Sequence, residues 1–362
     1  MGSRISIVLT KSSKLLILAL IILVPLSLLL KLFHISGQWE FVCSAITLVP
    51  LAGMLGIATE DMARWRGPTV GGLLNATFGN ATELIFCTIA LFHNDIDLVG
   101  ASLIGSIIGN ILLVLGLSAL IGGLRYRVLT FNQVVAQTHS TMMTLAVLCL
   151  LIPAMFVHAS HHVSNIAVLN LSIGVSVVLI FVYFAGLVFS LHTHERLFRT
   201  EEEELEKPVW PQWVSGLILF IAAICIAIES DILLETLSSI EVKWHLSRIF
   251  VGIILIPLIG NAAEHSTAVW MAMKNKMDIS LNIAISSSTQ IAMFVIPFLV
   301  FMGRIFGHHM TIIFTPYELI ALTTGTFIAI LVSMDGKSHW LEGAQLLAVY
   351  LVLSFAFLFA AN

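Results

Sequence analysis

The sequence predicts an all-α polytopic membrane protein of about 11 transmembrane helices, arranged as one N-terminal helix plus two inverted five-helix repeats. Three observations predict it. Of 362 residues, 58% are hydrophobic and only 10% charged, with a mean hydropathy of +1.01, whereas a soluble domain is about 45–50% apolar and about 25% charged. The apolar residues fall into eleven runs of membrane-spanning length. Two of those runs carry the same short polar motif, 181 residues apart and, by the count of spans between them, in opposite orientation.

A spanning helix needs about 20 mostly apolar residues. Cutting at charged or Pro/Gly-rich punctuation gives runs at 13–33, 39–59, 69–92, 98–121, 133–157, 164–191, 212–234, 248–273, 279–303, 315–334 and 340–361. The first has basic flanks but is too long for a signal segment and lacks a small-x-small cleavage site, so it reads as a retained helix. No soluble domain remains. The domains expected are 1–36 (N-terminal cytoplasmic segment and first helix), 37–194 (first five-helix repeat), 195–210 (acidic cytoplasmic linker) and 211–362 (second five-helix repeat). Thirteen of the 17 Lys and Arg residues fall on one side of this arrangement, the other side holding Lys31, Lys243, Arg248 and Arg304. Basic loops stay in the cytoplasm, which places the N-terminus there and the C-terminus outside.

Composition also excludes functions. The net charge of −4 leaves no basic surplus for a phosphate backbone, so the expected surroundings are the lipid bilayer and not nucleic acid. Cys43, Cys87, Cys149 and Cys225 stand singly in apolar runs, without the paired spacing of a zinc or redox site, and read as packing residues. No HExxH or GxSxG pattern is present, so no enzyme and no cofactor are expected.

The repeated motif is Gly79-Asn80-Ala81-Thr82-Glu83 in the third run and Gly260-Asn261-Ala262-Ala263-Glu264 in the eighth. Downstream of each lies a small polar stretch, in which Ser106 and Asn110 match Ser286 and Gln290 at an offset of 180. Each half holds an odd number of helices, so the second copy enters the membrane from the opposite side, as in secondary transporters. Glu83 and Glu264 sit near the middle of apolar runs, where an ionised carboxylate costs at least about 2.5–3.5 kcal/mol. A bound cation, a fixed basic partner or permanent protonation would offset that cost. No Lys or Arg lies at comparable depth, which leaves a cation or a proton.

Asn80 lies one turn from Glu83 on a face continued by Gly72 and Gly79, where a neighbouring helix can approach closely and backbone carbonyls can turn toward a ligand. Pro257 removes a helix hydrogen bond near Gly260 with the same effect. Carboxylates, amide oxygens and freed carbonyls form an all-oxygen shell, and about six to eight oxygens in a flexible cage suit Ca2+. Glycine spacings of this kind also serve packing. Two copies at matching depth favour the chemical reading, since packing does not require a Glu in both.

The segments Gly71 to Ile85 and Gly260 to Val269 resemble the two signature repeats of the Ca2+/cation antiporter superfamily, specifically its Ca2+/H+ exchanger (CAX) branch. The resemblance covers both halves. It implies a Ca2+/H+ antiporter that exports Ca2+ from the cytosol by alternating access, with ten helices in the inverted repeat, an acidic segment between the halves and a trimeric homo-oligomer. It makes Glu83 and Glu264 the principal metal ligands and proton carriers, helped by Asn80, Asn261 and the carbonyls near Gly79 and Gly260. Ser106, Asn110, Ser286 and Gln290 face them from adjoining helices. The sodium-coupled branch typically has hydroxyl residues near the glutamates and an Asp on a partner helix, where this chain has Asn80, Asn261, Asn110 and Gln290. The proton is therefore the simplest counter-ion, and Ca2+ and H+ compete for one site. A Na+- or K+-coupled exchanger is the alternative, followed by a divalent cation channel. The membrane is the plasma (inner) membrane in a prokaryote and the vacuolar membrane in a eukaryote.

Secondary candidates carry two readings each. His265 adjoins Glu264 but points about 100° away, as a helix contact or a proton relay. Glu60, Asp61, Glu229, Asp231 and Glu235 lie near span ends, where interfacial solvation is the simpler reading beside a cation funnel. Glu201, Glu202, Glu203, Glu204 and Glu206 form a solvated loop or, as the family's acidic helix implies, bind regulatory Ca2+.

Overall fold

The structure is a computed structural model that describes residues 11–66, 68–160, 163–198 and 208–359; the acidic run from Glu201 to Glu206 lies outside them. Helices α1 (Lys11–Leu32) and α2 (Gly37–Arg66) are followed by two short helices, α3 (Pro68–Phe78) and α4 (Ala81–Phe92). Helices α5 (Ile96–Ile108) and α6 (Leu115–Tyr126) are joined by a π-helical segment, Gly109–Val114, into one apolar helix of 31 residues. After α7 (Gln133–Ala159), α8 (Asn165–Val188) and the short α9 (Glu195–Phe198), the second half opens with α10 (Gln212–Trp244). Then come α11 (Arg248–Phe250), a π segment Val251–Leu255, α12 (Ile256–Gly260) and α13 (Ala262–Met273). Helices α14 (Met277–Gln290) and α15 (Ile296–Phe306) are fused through the π segment Ile291–Val295, and α16 (Pro316–Ser333) and α17 (Trp340–Leu358) follow. A two-stranded antiparallel ladder pairs β1 (Leu129–Thr130) with β2 (Lys337–Ser338).

Over the described residues all eleven apolar runs are helical, apart from the breaks at Gly79-Asn80 and Asn261. Among the described residues nine helices are long and apolar enough to cross a membrane, or ten if the eighth run, bent by 64° between α12 and α13, counts as one span. The third run, 69–92, is divided between α3 and α4. The protein is thus an all-α polytopic membrane protein.

The chain forms two compact units. One combines the chain up to Phe86 with Leu187–Val242. Within it α2 packs along α1 and α3, and a small core of Met54, Ala58, Trp210 and Val214 receives Leu16 and Ile17 of α1. Asp61 anchors this unit. Its carboxylate accepts the N–H groups of Val209 and Trp210 at 2.6 and 2.9 Å and the Ser215 hydroxyl at 2.7 Å, and Trp65 Nε1 donates to the Trp210 carbonyl at 2.8 Å. The C-terminal part of α2 thereby fixes the approach to α10. Interfacial solvation, expected for Asp61 and Glu229, is corrected here: both are fully buried. The apolar run drawn to 234 stops short because Glu235 looks like punctuation, whereas α10 continues to Trp244.

The other unit combines Cys87–Gly186 with Lys243–Asn362. Its spans approach through small residues, as expected where lipid gives helices little hydrophobic reason to associate. On α5, a Cβ at Gly105 would lie 2.1 Å from the carbonyl oxygen of Ile253. That carbonyl stands four residues before Pro257, which has no N–H to give it. On α17, a Cβ at Gly343 would lie 2.2 Å from Leu120 N and 2.6 Å from the Gly116 carbonyl. Caps finish the element ends. Asn132 accepts from Val134 N and Val135 N, Thr315 and Glu318 form a capping box, and Ser247 ties α11 to the Phe357 carbonyl of α17 at 2.6 Å.

Because the atoms that a side chain at residue 343 would meet are backbone, Gly343→Val is expected to lower the melting midpoint of the detergent-solubilised protein by more than about 5 °C. On the exposed face of the same helix, Val352→Leu should leave it within about 1 °C.

Candidate cation site

Both motif copies break a helix at the same place. In the first, α3 ends at Phe78, Gly79 N–H still reaches the Asn75 carbonyl at 2.7 Å, and the Asn80 carbonyl accepts Leu84 N at 3.0 Å to start α4. In the second, Asn261 N–H reaches the Pro257 carbonyl at 3.0 Å and the Asn261 carbonyl accepts His265 N at 2.9 Å to start α13. Gly and Asn are poor helix formers, and Asn261 sits at φ −97°, ψ 5°, outside the helical basin. Glu83 and Glu264 therefore occupy equivalent positions in the first turn of the second half-helix. A broken helix at membrane depth turns carbonyls at the end of its first half toward a ligand, the arrangement transporters use to coordinate cations.

In the unit that holds it, Glu83 is 5% exposed and Asn80 1% exposed. The Glu83 Oε1 atom is buried without a hydrogen-bond partner. A buried carboxyl oxygen lacking a donor is costly unless a proton or a cation is supplied.

The other unit builds a connected polar array around Glu264. Helix α5 lies beside the broken helix, held close at Gly105, and its next residue begins two rungs one turn apart. Asn261 Nδ2 donates to Ser106 Oγ at 3.1 Å, and His265 Nε2 and Asn110 Oδ1 are 3.0 Å apart. The matched i to i+4 spacing on both helices makes the rungs parallel. Asn110 Nδ2 then donates to Ser287 Oγ at 3.1 Å, and the Ser287 hydroxyl donates to Glu264 Oε2 at 3.3 Å. This direction fixes the rest. With its amide nitrogen facing Ser287, Asn110 presents oxygen to His265, so the imidazole is the Nε2–H tautomer. Its Nδ1 is buried without a hydrogen-bond partner.

Among the sequence candidates, this array gathers Glu264, Asn261, His265, Ser106 and Asn110. Gly260 ends α12 immediately before it. Glu83, Asn80 and Gly79 lie in the first unit. Ser286 turns its hydroxyl to the Asn282 carbonyl of its own helix, and it is Ser287, one residue on, that meets Glu264. Gln290 is buried at the end of α14. His265 makes the helix contact of its two readings. The run Ser286-Ser287-Ser288-Thr289 offers no sequence signal for which hydroxyl faces the carboxylate, because that depends on the rotation of α14. A further regularity lies at the ends of the polar stretches, where π segments begin at Gly109, one residue before Asn110, and at Ile291, one residue after Gln290. Such turns insert a residue into the helix and recur at functional sites.

Residues 36–192 and 214–359 match the family model described as sodium/calcium exchanger protein. The chain is 44% identical to the Ca(2+)/H(+) antiporter of Aphanothece halophytica over 358 residues, 94% of this chain and 95% of that one. It is 42% identical to the Ca(2+)/H(+) antiporter ChaA of Bacillus subtilis, over 92% of this chain and 96% of that one. Among solved structures, that of native YfkE is similar at a TM-score of 0.83 and 39% identity, covering 95% of this chain and 99% of that one. With two broken motif helices and likeness along nearly its whole length, the chain belongs to the sodium/calcium exchanger protein family, in its Ca2+/H+ antiporter (CAX) branch.

Proposed function

We propose that this chain exports Ca2+ from the cytosol in exchange for protons by alternating access, with the two ions competing for the carboxylates of Glu83 and Glu264. The observation that carries the reading is the pair of helix breaks, each followed within one turn by an intramembrane glutamate. The names of the relatives, Ca(2+)/H(+) antiporters, support the choice of ions.

Charge balance supplies the coupling. Two ionised carboxylates without a counter-charge are costly in hydrocarbon, so the empty site resists reorientation. One Ca2+ neutralises the pair, and so do two protons. Only the loaded forms then move, which couples outward Ca2+ to inward H+ without a second pathway. Asn80, Asn261 and the carbonyls at Gly79 and Gly260 supply neutral oxygens, which suit a hard divalent ion without adding charge. The basic-loop bias supports a cytoplasmic N-terminus.

The test uses everted membrane vesicles with an acid interior and no Na+ or K+ gradient, following uptake of radiolabelled Ca2+. Wild type is expected to accumulate Ca2+, and both Glu83→Gln and Glu264→Gln to fall to background. Uptake that requires an opposing Na+ gradient would assign sodium coupling instead, and undiminished uptake in the glutamine variants would remove both residues from the site. Competition makes a second prediction. Each proton displaced by Ca2+ should weaken apparent Ca2+ affinity about tenfold per unit fall in pH on the binding side, measured as the half-saturating Ca2+ concentration. Loss of the Ser287 hydroxyl removes one hydrogen bond from Glu264, so Ser287→Ala should weaken that affinity about threefold to tenfold, whereas Ser286→Ala should not.

A further inference from the structure

A third intramembrane carboxyl, Glu229 on α10, stands outside the motif pair. It is fully buried. One oxygen accepts the Ser27 hydroxyl of α1 at 2.6 Å, and the other, Oε1, is buried with no hydrogen-bond partner. The backbone carbonyl of Glu229 accepts the Ser44 hydroxyl of α2 at 2.7 Å, so three helices of one unit meet at this residue.

The charges around it do not balance an ionised Glu229. From α1 comes Lys31, whose ammonium lies 2.9 Å from Glu235 and 3.5 Å from Asp231, both on α10. From α2 comes Cys43, and α10 itself adds Cys225, neither of which brings a positive charge. One cation thus faces three carboxyls, and it sits on the two that are partly exposed. An ionised oxygen without a donor at this depth would carry a large desolvation cost, whereas a neutral acid whose carbonyl takes the Ser27 hydrogen bond leaves only its own hydroxyl unpartnered, which costs far less.

We infer that Glu229 is a proton-binding site separate from the motif glutamates: it stands as a neutral carboxylic acid, hydrogen-bonded to Ser27, and fastens α1 to α10. Withdrawal of that proton places a bare charge beside Asp231 and Glu235 and loosens α1. The site is thus a latch set by proton concentration, and its ligand is the proton alone.

The test is made on the purified full-length protein in detergent, by infrared spectroscopy in the carboxylic-acid carbonyl region and by thermal unfolding from neutral to alkaline pH. At neutral pH, Glu229→Gln is expected to remove one acid carbonyl band, and Ser27→Ala to move that band to higher frequency by deleting its hydrogen bond. Glutamine resembles the neutral acid, so Glu229→Gln should keep the neutral-pH melting midpoint within about 2 °C and lose part of the alkaline fall seen in wild type. No band lost in Glu229→Gln, together with equal destabilisation by Glu229→Gln and Lys31→Met, would show an ionised partner of Lys31 and overturn the inference. Should Glu229→Gln fail to fold, Ser27→Ala still decides: a shifted acid band supports the neutral carboxyl, and an unchanged spectrum rejects it.

Discussion

A carboxyl group inside a bilayer has no water to fall back on, and the buried acids of this protein are sorted by what the chain gives them instead. Asp61 receives two backbone N–H groups and a serine hydroxyl, with Arg64 at 3.9 Å. It is fully satisfied as an anion and ties α2 to the start of α10. Glu318 takes both the N–H and the hydroxyl of Thr315 on one oxygen, at 2.7 and 2.8 Å, and closes the cap of α16. These two are architectural. Glu83 and Glu229 each keep an oxygen that no donor in the protein reaches, and an acid left in that state answers to protons or cations. The donor set, more than burial, separates Asp61 and Glu318 from Glu83 and Glu229.

The second constraint is the backbone. A helix can be interrupted at membrane depth only where neighbours take up the freed groups. In the second half, the neighbour packed against the break is α5. Gly105 lets it come within reach of the Ile253 carbonyl that Pro257 cannot serve, and the same approach brings Ser106 and Asn110 to the side chains of Asn261 and His265. Close packing and the polar rungs are therefore one feature seen at two heights of the same helix pair. A larger residue at 105 would separate the rungs as well as the backbones.

Much of this was legible in the sequence, for reasons that differ by level. Hydropathy located all eleven helical runs, because the cost of burying polar backbone leaves few alternatives in lipid. The breaks were legible from Gly-Asn in both copies and from Pro257. Rotation about helix axes was not. Ser286 and Ser287 are equivalent as letters, yet a turn of about 100° per residue gives one to its own helix and the other to Glu264. Nor was depth near a span end: Glu229 lies two residues before Asp231, which pairs with Lys31 at the end of α1. Charged residues read as punctuation hid an acid that belongs to the interior, since α10 runs on to Trp244.

His265 shows how the array limits its own flexibility. Its Nε2–H is committed to Asn110, and Asn110 is oriented in turn by Ser287, whose hydroxyl points to Glu264. Were Glu264 to take a proton on Oε2, that oxygen would gain an O–H to donate to Ser287 Oγ, and the hydrogen bond between them would reverse. Asn110 and the imidazole stand one and two hydrogen bonds further along the same array. A change of charge at the carboxylate is thus met first at Ser287 on α14, as a change in hydrogen-bond direction. The helices that carry the π segments at Gly109 and Ile291 are the ones so joined, the first segment beginning one residue before Asn110 and the second one residue after Gln290.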